Sequence, residues 1–179
     1  MTTYLEERQA VIARMTVPIT RGRACGDCSV CCEVMAVPDL WPQGKPAWTP
    51  CPQLTEPGRC GCYDSRPASC RNYTCGWLDG IGEEEHRPDR SGVVINAQGG
   101  PGWEDFVRLA CGRRSNAGVL VFREVWPGAA EEPGPAGLLG TLICSGVPVA
   151  VLREDRTVAV NGPATHGWQE ARWVDGARK

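Results

Sequence analysis

Eleven cysteines stand in this chain of 179 residues, and nine of them lie between Cys25 and Cys75. They read Cys25-x2-Cys28-x2-Cys31-Cys32, then Cys51, then Cys60-Gly61-Cys62, then Cys70-x4-Cys75. A thiolate is a soft donor, so a set of four selects zinc or an iron–sulfur cluster over hard cations such as Mg²⁺. A Cys-x2-Cys step lets two sulfurs reach one metal or two corners of one cluster. The run Cys25-x2-Cys28-x2-Cys31 adds a third ligand at the same step, as in the bacterial ferredoxin motifs for [4Fe–4S] clusters, but without their following proline. On a helix turning about 100° per residue, Cys25, Cys28 and Cys32 share a face, and Cys31 points elsewhere, toward a second site. Gly26 and Asp27 argue against a regular helix at the start of that run.

The composition sets the context for this chemistry. Apolar residues make up 42% and charged residues 22%, the balance of a globular chain rather than a disordered one. A net charge of -2 favours neither nucleic acid nor an anionic membrane as a partner. Residues 1–14 lack a basic start followed by an apolar run, and no segment approaches the ~20 apolar residues that span a bilayer. The expected location is therefore cytoplasmic, where thiols stay reduced and clustered cysteines serve as metal ligands or redox centres rather than disulfides. With only His86 and His166 as histidines, any metal site has to be built almost wholly from sulfur.

The elements that must position these thiols are short. Residues 3–15 carry Leu5, Ile12 and Met15 as an apolar stripe and predict a packing helix that Pro18 ends. Residues 34–37 read as a short strand, followed by a loop rich in Pro and Trp over 38–52. Ser65 is placed to cap a short helix with Pro67 in its first turn, and that helix carries Cys70. Beyond Cys75 the apolar runs 93–95, 106–109 and 119–122 predict strands. Residues 127–135 predict an exposed loop, and 136–144 a helix stopped by Gly146. Residues 147–153 and 157–160 predict a hairpin, and the tail from 162 has little to hold it. The expected fold is α+β: one small domain with a loop-rich cysteine module packed on a few antiparallel strands and two or three helices. Its parts are an N-terminal helix (1–20), the cysteine-cluster metal module (21–80), a strand-rich α+β part (81–161) and a loose tail (162–179).

Three elements combine into one signature: Cys25-x2-Cys28-x2-Cys31-Cys32, Cys51-Pro52-x-Leu54, and Gly58-x-Cys60-x2-Tyr63-x2-Arg66-Pro67-x2-Cys70-Arg71-x3-Cys75. Together they resemble the CxxCxxCC cysteine-cluster family of zinc- or iron-chelating proteins, which includes the flagellin lysine N-methylases. The resemblance covers residues 25–75 and extends weakly to Trp77 and Arg87-Pro88-Asp89. It implies eight ligands: Cys25, Cys28, Cys31, Cys32, Cys51, Cys60, Cys70 and Cys75. Eight thiolates suit two four-sulfur sites, or one site with a reserve set. The ferredoxin-like spacing and the methylase relatives point to [4Fe–4S], and zinc is the alternative. Cys62 lies outside the pattern. Arg66, Arg71 and Tyr63 fall where they can donate to thiolate sulfur or offset its charge; the plain reading of Arg66 is a brace for the short helix.

Other features carry less. Cys111 and Cys144 sit in apolar settings and read as buried small hydrophobes. Residues 99–102 form a glycine-rich turn, and no Gly-x-Gly-x-x-Gly spacing suggests a nucleotide or S-adenosylmethionine site. Trp41, Trp48 and Trp77 flank the cysteines and are expected to roof them, whereas Trp168 and Trp173 in the tail are candidate partner anchors. His86 reads as a solvated surface residue, and neither Glu33 nor Asp64 has an acid–base partner. The functions that follow are redox work, metal handling or support of a modification enzyme. The alternatives are a methylase-like component acting on protein side chains, which needs an accessory subunit, and a zinc-shaped module that docks a protein partner. No hydroxyl or histidine nucleophile constellation points to hydrolysis.

Overall fold

The computed structural model describes residues 22–40, 42–55, 58–98, 103–112 and 118–172. The expected helix over 3–15, the turn at 99–102, Trp41 and Trp173 lie outside these residues. The architecture is mixed α and β, with two sheets and five helices. The cysteine-bearing half holds α1 (Val30–Val34), the two-residue strands β1 (Leu54–Thr55) and β2 (Arg59–Cys60), α2 (Ala68–Asn72) and α3 (Pro88–Ser91). The second half runs β3 (Val93–Gln98), α4 (Glu104–Cys111), β4 (Val119–Glu124), α5 (Pro133–Cys144), β5 (Val149–Leu152), β6 (Thr157–Asn161) and β7 (Gln169–Arg172).

Strands β3 to β7 form one sheet in chain order, antiparallel at every pairing except the parallel pair β4–β5. A parallel neighbour needs a crossover, and α5 supplies it. The β-branched runs form strands buried on both faces, which is why they read as near-continuous apolar stretches. One face carries Ile95, Leu120, Phe122, Val149 and Val151, packed on Leu138, Leu139 and Leu142 of α5. On the other face, Val119, Val121, Leu152, Val158 and Val160 meet Trp103, Phe106, Val107 and Ala110 around α4. Next to them, Val94 of β3 meets Val30, Val34, Cys75 and Trp77, so the cysteine half rests on the β3 edge of this same face.

Several sequence expectations are corrected. Residues 106–109 are helical within α4, because Trp103, Phe106, Val107 and Ala110 follow the i, i+3, i+4, i+7 spacing that a four-residue window hides. Gly112 ends that helix in the left-handed region at φ 71°. Residues 34–37 close α1 and contribute one isolated bridge, Val37 to Lys45, rather than a strand. The segment 127–135 is not an exposed loop: Ala129 and Ala130 are buried in a 3-10 turn, and Pro133 already opens α5. As far as Arg172 the tail does not hang free, since β7 pairs with β6 from Val160–Gln169 to Thr157–Arg172, covering an edge that would otherwise stay open. Cys144 is exposed rather than buried, whereas Cys111 is half-buried and packs against the Trp103–Phe106–Val107 cluster. Among the described residues the helices number five where the sequence predicts two or three, because three of them have five residues or fewer. The hairpin of β5 and β6 and the strands β3 and β4 stand where the sequence put them. Among the described residues, no helix is long and apolar enough to cross a membrane.

Candidate metal centre

Helix α1 sorts the cysteines. Val30 and Val34 are four residues apart and therefore share a face, which both bury against Val94, Cys75 and Trp77. At about 100° per residue, Cys32 then falls on the opposite side of the helix from that face and Cys31 on its flank. The helix begins only at Val30: Gly26 and Asp27 make a turn, with Gly26 at φ 61° and the Cys28 amide donating to the Cys25 carbonyl. The continuous helix that would align Cys25, Cys28 and Cys32 is therefore absent.

Two neighbourhoods result. In the inner one, Cys28 packs against the cluster holding buried Cys75, and Cys25 Sγ lies 3.4 Å from the Cys28 carbonyl. The outer one is assembled by backbone pairing. The Cys51 amide donates to the Cys32 carbonyl at 2.9 Å, and Leu54 pairs with Cys60 across β1 and β2. Cys60 and Cys62 then stand with their sulfurs 3.7 Å apart. Electrostatic influence follows this division only in part: Cys75 feels Cys25 and Cys28, and Cys70 feels Cys32, Cys51 and Cys60, but Cys25 feels Cys32 of the outer group. Cys31 is hydrogen-bonded to Cys32 and also feels Cys25 and Cys28, which puts it between the two groups. All eleven cysteines are free thiols.

The environment tunes these thiols unequally. Burial pushes Cys25 and Cys28 upward, and pushes Cys70 and Cys75 up to about 11. Cys31 keeps its proton because it donates to Cys32, with burial adding to the effect. Cys32 accepts that bond and is drawn down to about 7, helped by the charges of Lys45 and Arg66. Burial, then the contact with Cys60, raises Cys62.

Cations surround the group, and the most telling was not singled out from the sequence. Lys45 is buried, at 4% exposure, and its ammonium donates to the carbonyls of Glu33 (3.4 Å), Pro46 (3.1 Å) and Met35. Three converging carbonyls suit a compact ammonium better than a planar guanidinium. The signal was available in the composition, since Lys45 and Lys179 are the only lysines of a chain otherwise supplied with arginine. Burial lowers Lys45, and the charges of Cys51, Cys32, Cys31 and Cys70 act against that. Arg87 ties the first Cys-x2-Cys turn to α3 by pairing with Asp27 and, at 3.0 Å, with Asp89. Arg23 donates to the carbonyls of Trp77 (2.9 Å) and Gly82 (2.6 Å), and its guanidinium lies over the Trp77 ring at 4.8 Å.

Two tryptophans fasten the module to the sheet rather than roofing it. Trp77 is buried, and its indole donates to the Glu83 carbonyl at 3.1 Å. Trp48 sits at φ 52°, a left-handed conformation that costs a non-glycine residue about 1–3 kcal/mol. Its indole donates to the Glu124 carbonyl at 2.9 Å and its ring lies under Arg123 at 4.6 Å. Arg66 takes the plain role: Nε donates to the Tyr63 carbonyl at 2.9 Å, and the guanidinium covers the Tyr63 ring at 3.7 Å. Arg71 donates to the Arg66 carbonyl. Ser65 does not cap α2; the Ser69 amide is held instead by Asp39 Oδ2 at 3.0 Å, a cap brought from thirty residues away. His86 is buried, not solvated: its Nδ1 accepts the Glu83 amide at 2.8 Å and its Nε2 lies 3.0 Å from the Gly134 carbonyl.

The donor chemistry fits a thiolate metal site, whereas the side-chain geometry does not yet complete one. Among the described residues, no three Cys, His, Asp or Glu side chains converge on a common point as metal ligands do. No known protein family, curated protein or solved structure matches the chain. The CxxCxxCC resemblance therefore stands on the signature residues between Cys25 and Cys75 alone.

Proposed function

We propose that residues 25–75 bind a thiophilic metal, as zinc or as a [4Fe–4S] cluster, for redox work, metal handling or the support of a modification enzyme. The observation that carries this reading is the gathering of nine free thiols around α1 with Lys45, Arg66 and Arg87 close enough to influence their charge. Four thiolates on one zinc carry a net charge of about −2, so adjacent cations lower the cost of keeping them together. The two neighbourhoods suggest two four-sulfur sets. The inner is Cys25, Cys28, Cys31 and Cys75; the outer is Cys32, Cys51, Cys60 and Cys70. Short loops joined by two-residue strands can close around a metal with small rotations, which couples binding to the folding of this half.

Oxygen-free purification followed by a visible spectrum and the stoichiometry of iron, sulfide and zinc tests the reading directly. Brown protein with equal iron and sulfide identifies a cluster, and colourless protein with stoichiometric zinc identifies the alternative. Cys75→Ser and Cys51→Ser should each remove about half of the bound metal if the sets are independent, and together nearly all of it. Folded protein that takes up neither metal after reconstitution under reducing conditions refutes the proposal.

A further inference from the structure

We propose that Cys60-Gly61-Cys62 is a reversible dithiol–disulfide site, oxidised by a hydroperoxide and restored by a cellular dithiol. The two sulfurs are in contact at 3.7 Å, and both residues are half-exposed, so a small oxidant can reach them. The turn enforces this pairing. Strand β2 ends at Cys60, Cys62 turns the chain at φ −117° and ψ 33°, and the Gly61 amide between them is held by the Gln53 carbonyl at 2.7 Å. A Cβ on Gly61 would lie 3.0 Å from Thr55 Cγ2 and 3.2 Å from the Gln53 carbonyl, so a side chain there makes these neighbours give way by a few tenths of an ångström. Glycine thus lets the backbone close in while both thiols stay on the accessible side.

The chemistry balances without help from elsewhere in the chain. One thiol ionises and its thiolate attacks the peroxide. The O–O bond breaks, the sulfur becomes a sulfenic acid, and the leaving oxygen takes up the released proton to depart as the first water, or as an alcohol from an organic hydroperoxide. The neighbouring thiol gives up its proton and attacks that sulfur, forming the S–S bond and releasing a second water. Two electrons pass from the two thiols to the peroxide. A bridge across one intervening residue closes a small, exposed ring, the kind that dithiol reductants reopen readily. Cys62 lies outside the ligand set, whereas Cys60 belongs to it. Oxidation therefore withdraws one ligand from the outer four and releases that metal. This last step rests on the metal-binding reading; formation of the bridge does not.

The full-length protein, zinc-loaded and zinc-free, is treated with hydrogen peroxide and its remaining thiols are alkylated. Trypsin cuts after Arg59 but not before Pro67, so one peptide carries Cys60, Cys62 and Cys70, and tandem mass spectrometry places the bridge. The expected first product is a Cys60–Cys62 disulfide that thioredoxin or dithiothreitol reverses. A first bridge to any other cysteine, or over-oxidation of Cys60 while Cys62 stays free, overturns the inference. With an adjacent thiol acting at a millimolar effective concentration, zinc release into a chromogenic chelator should be ~10-fold faster in the wild type than in Cys62→Ser. Equal release rates overturn the link to the metal and leave the bridge to the mass map. A chain that binds no zinc but forms the bridge refutes the metal reading alone.

Discussion

Replacing Lys45 with methionine should loosen the cysteine module before any metal is considered. The substitution keeps the apolar stem and removes an ammonium that donates to the carbonyls of Pro46 (3.1 Å), Glu33 (3.4 Å) and Met35. Hydrogen bonds from a charged donor contribute about 1.5–3 kcal/mol each, and losing them leaves buried carbonyls unpaired. Removing the ammonium also relieves its own burial, which offsets part of that loss. The expected net destabilisation is about 2–4 kcal/mol, a large fraction of the 5–15 kcal/mol that holds a typical domain. Urea unfolding followed by circular dichroism should show the midpoint falling by about 1–2 M, taking a slope near 2 kcal/mol per molar. Lys45→Arg should restore little, because a planar fork cannot address three carbonyls arranged around one nitrogen. Metal affinity should fall about 10- to 100-fold, the usual effect of losing an outer partner of the ligands. A midpoint shift below about 0.3 M together with unchanged affinity refutes the assignment of Lys45 as both clasp and counter-charge.

Metal affinity should rise with pH. Burial holds Cys70 and Cys75 up to about 11, so both are protonated near neutrality and must release protons to bind. Chelator competition between about pH 6 and 8 should show tighter binding at the higher end, and a flat profile excludes these thiols as ligands. Gly92→Ala should destabilise by at least ~1–2 kcal/mol, since Gly92 sits at φ 67° and its Cβ would meet the Trp126 ring at 2.2 Å. A thermal melt with unchanged Tm contradicts that. Gly137→Ala in α5 should do the reverse and stabilise by ~0.5–1 kcal/mol, because a Cβ there meets nothing within 4 Å. A lower Tm argues against that open helix surface. Cys144→Ala should leave stability within ~0.5 kcal/mol, whereas Cys75→Ala should cost more because Cys75 fills the Val30–Val34–Trp77–Val94 cluster; equal urea midpoints refute that difference.

The sequence by itself determined the thiol-rich character of residues 25–75 and the stronger strands. Thiol density between Cys25 and Cys75 needs no fold to be recognised, and the β-branched runs of β3, β4, β5 and β6 announce themselves because strands buried on both faces leave little polar alternation. Weak local signals went the other way. Phe106-Val107-Arg108-Leu109 looks extended until Trp103 and Ala110 complete its helical face, and β7 has so little apolar character that only the open edge of β6 makes it a strand. The tertiary structure alone decided which cysteines share a neighbourhood. Packing Val30 and Val34 on β3 puts Cys32 on the far side of α1 and Cys31 on its flank, and the β1–β2 pairing carries Cys60 toward the chain near Cys51. It also decided that Lys45 and His86 are interior, and that Asp39 caps α2 in place of Ser65. These contacts join residues far apart in the chain, so spacing along it carries no trace of them; they follow from burying apolar faces while finding partners for most enclosed donors and acceptors.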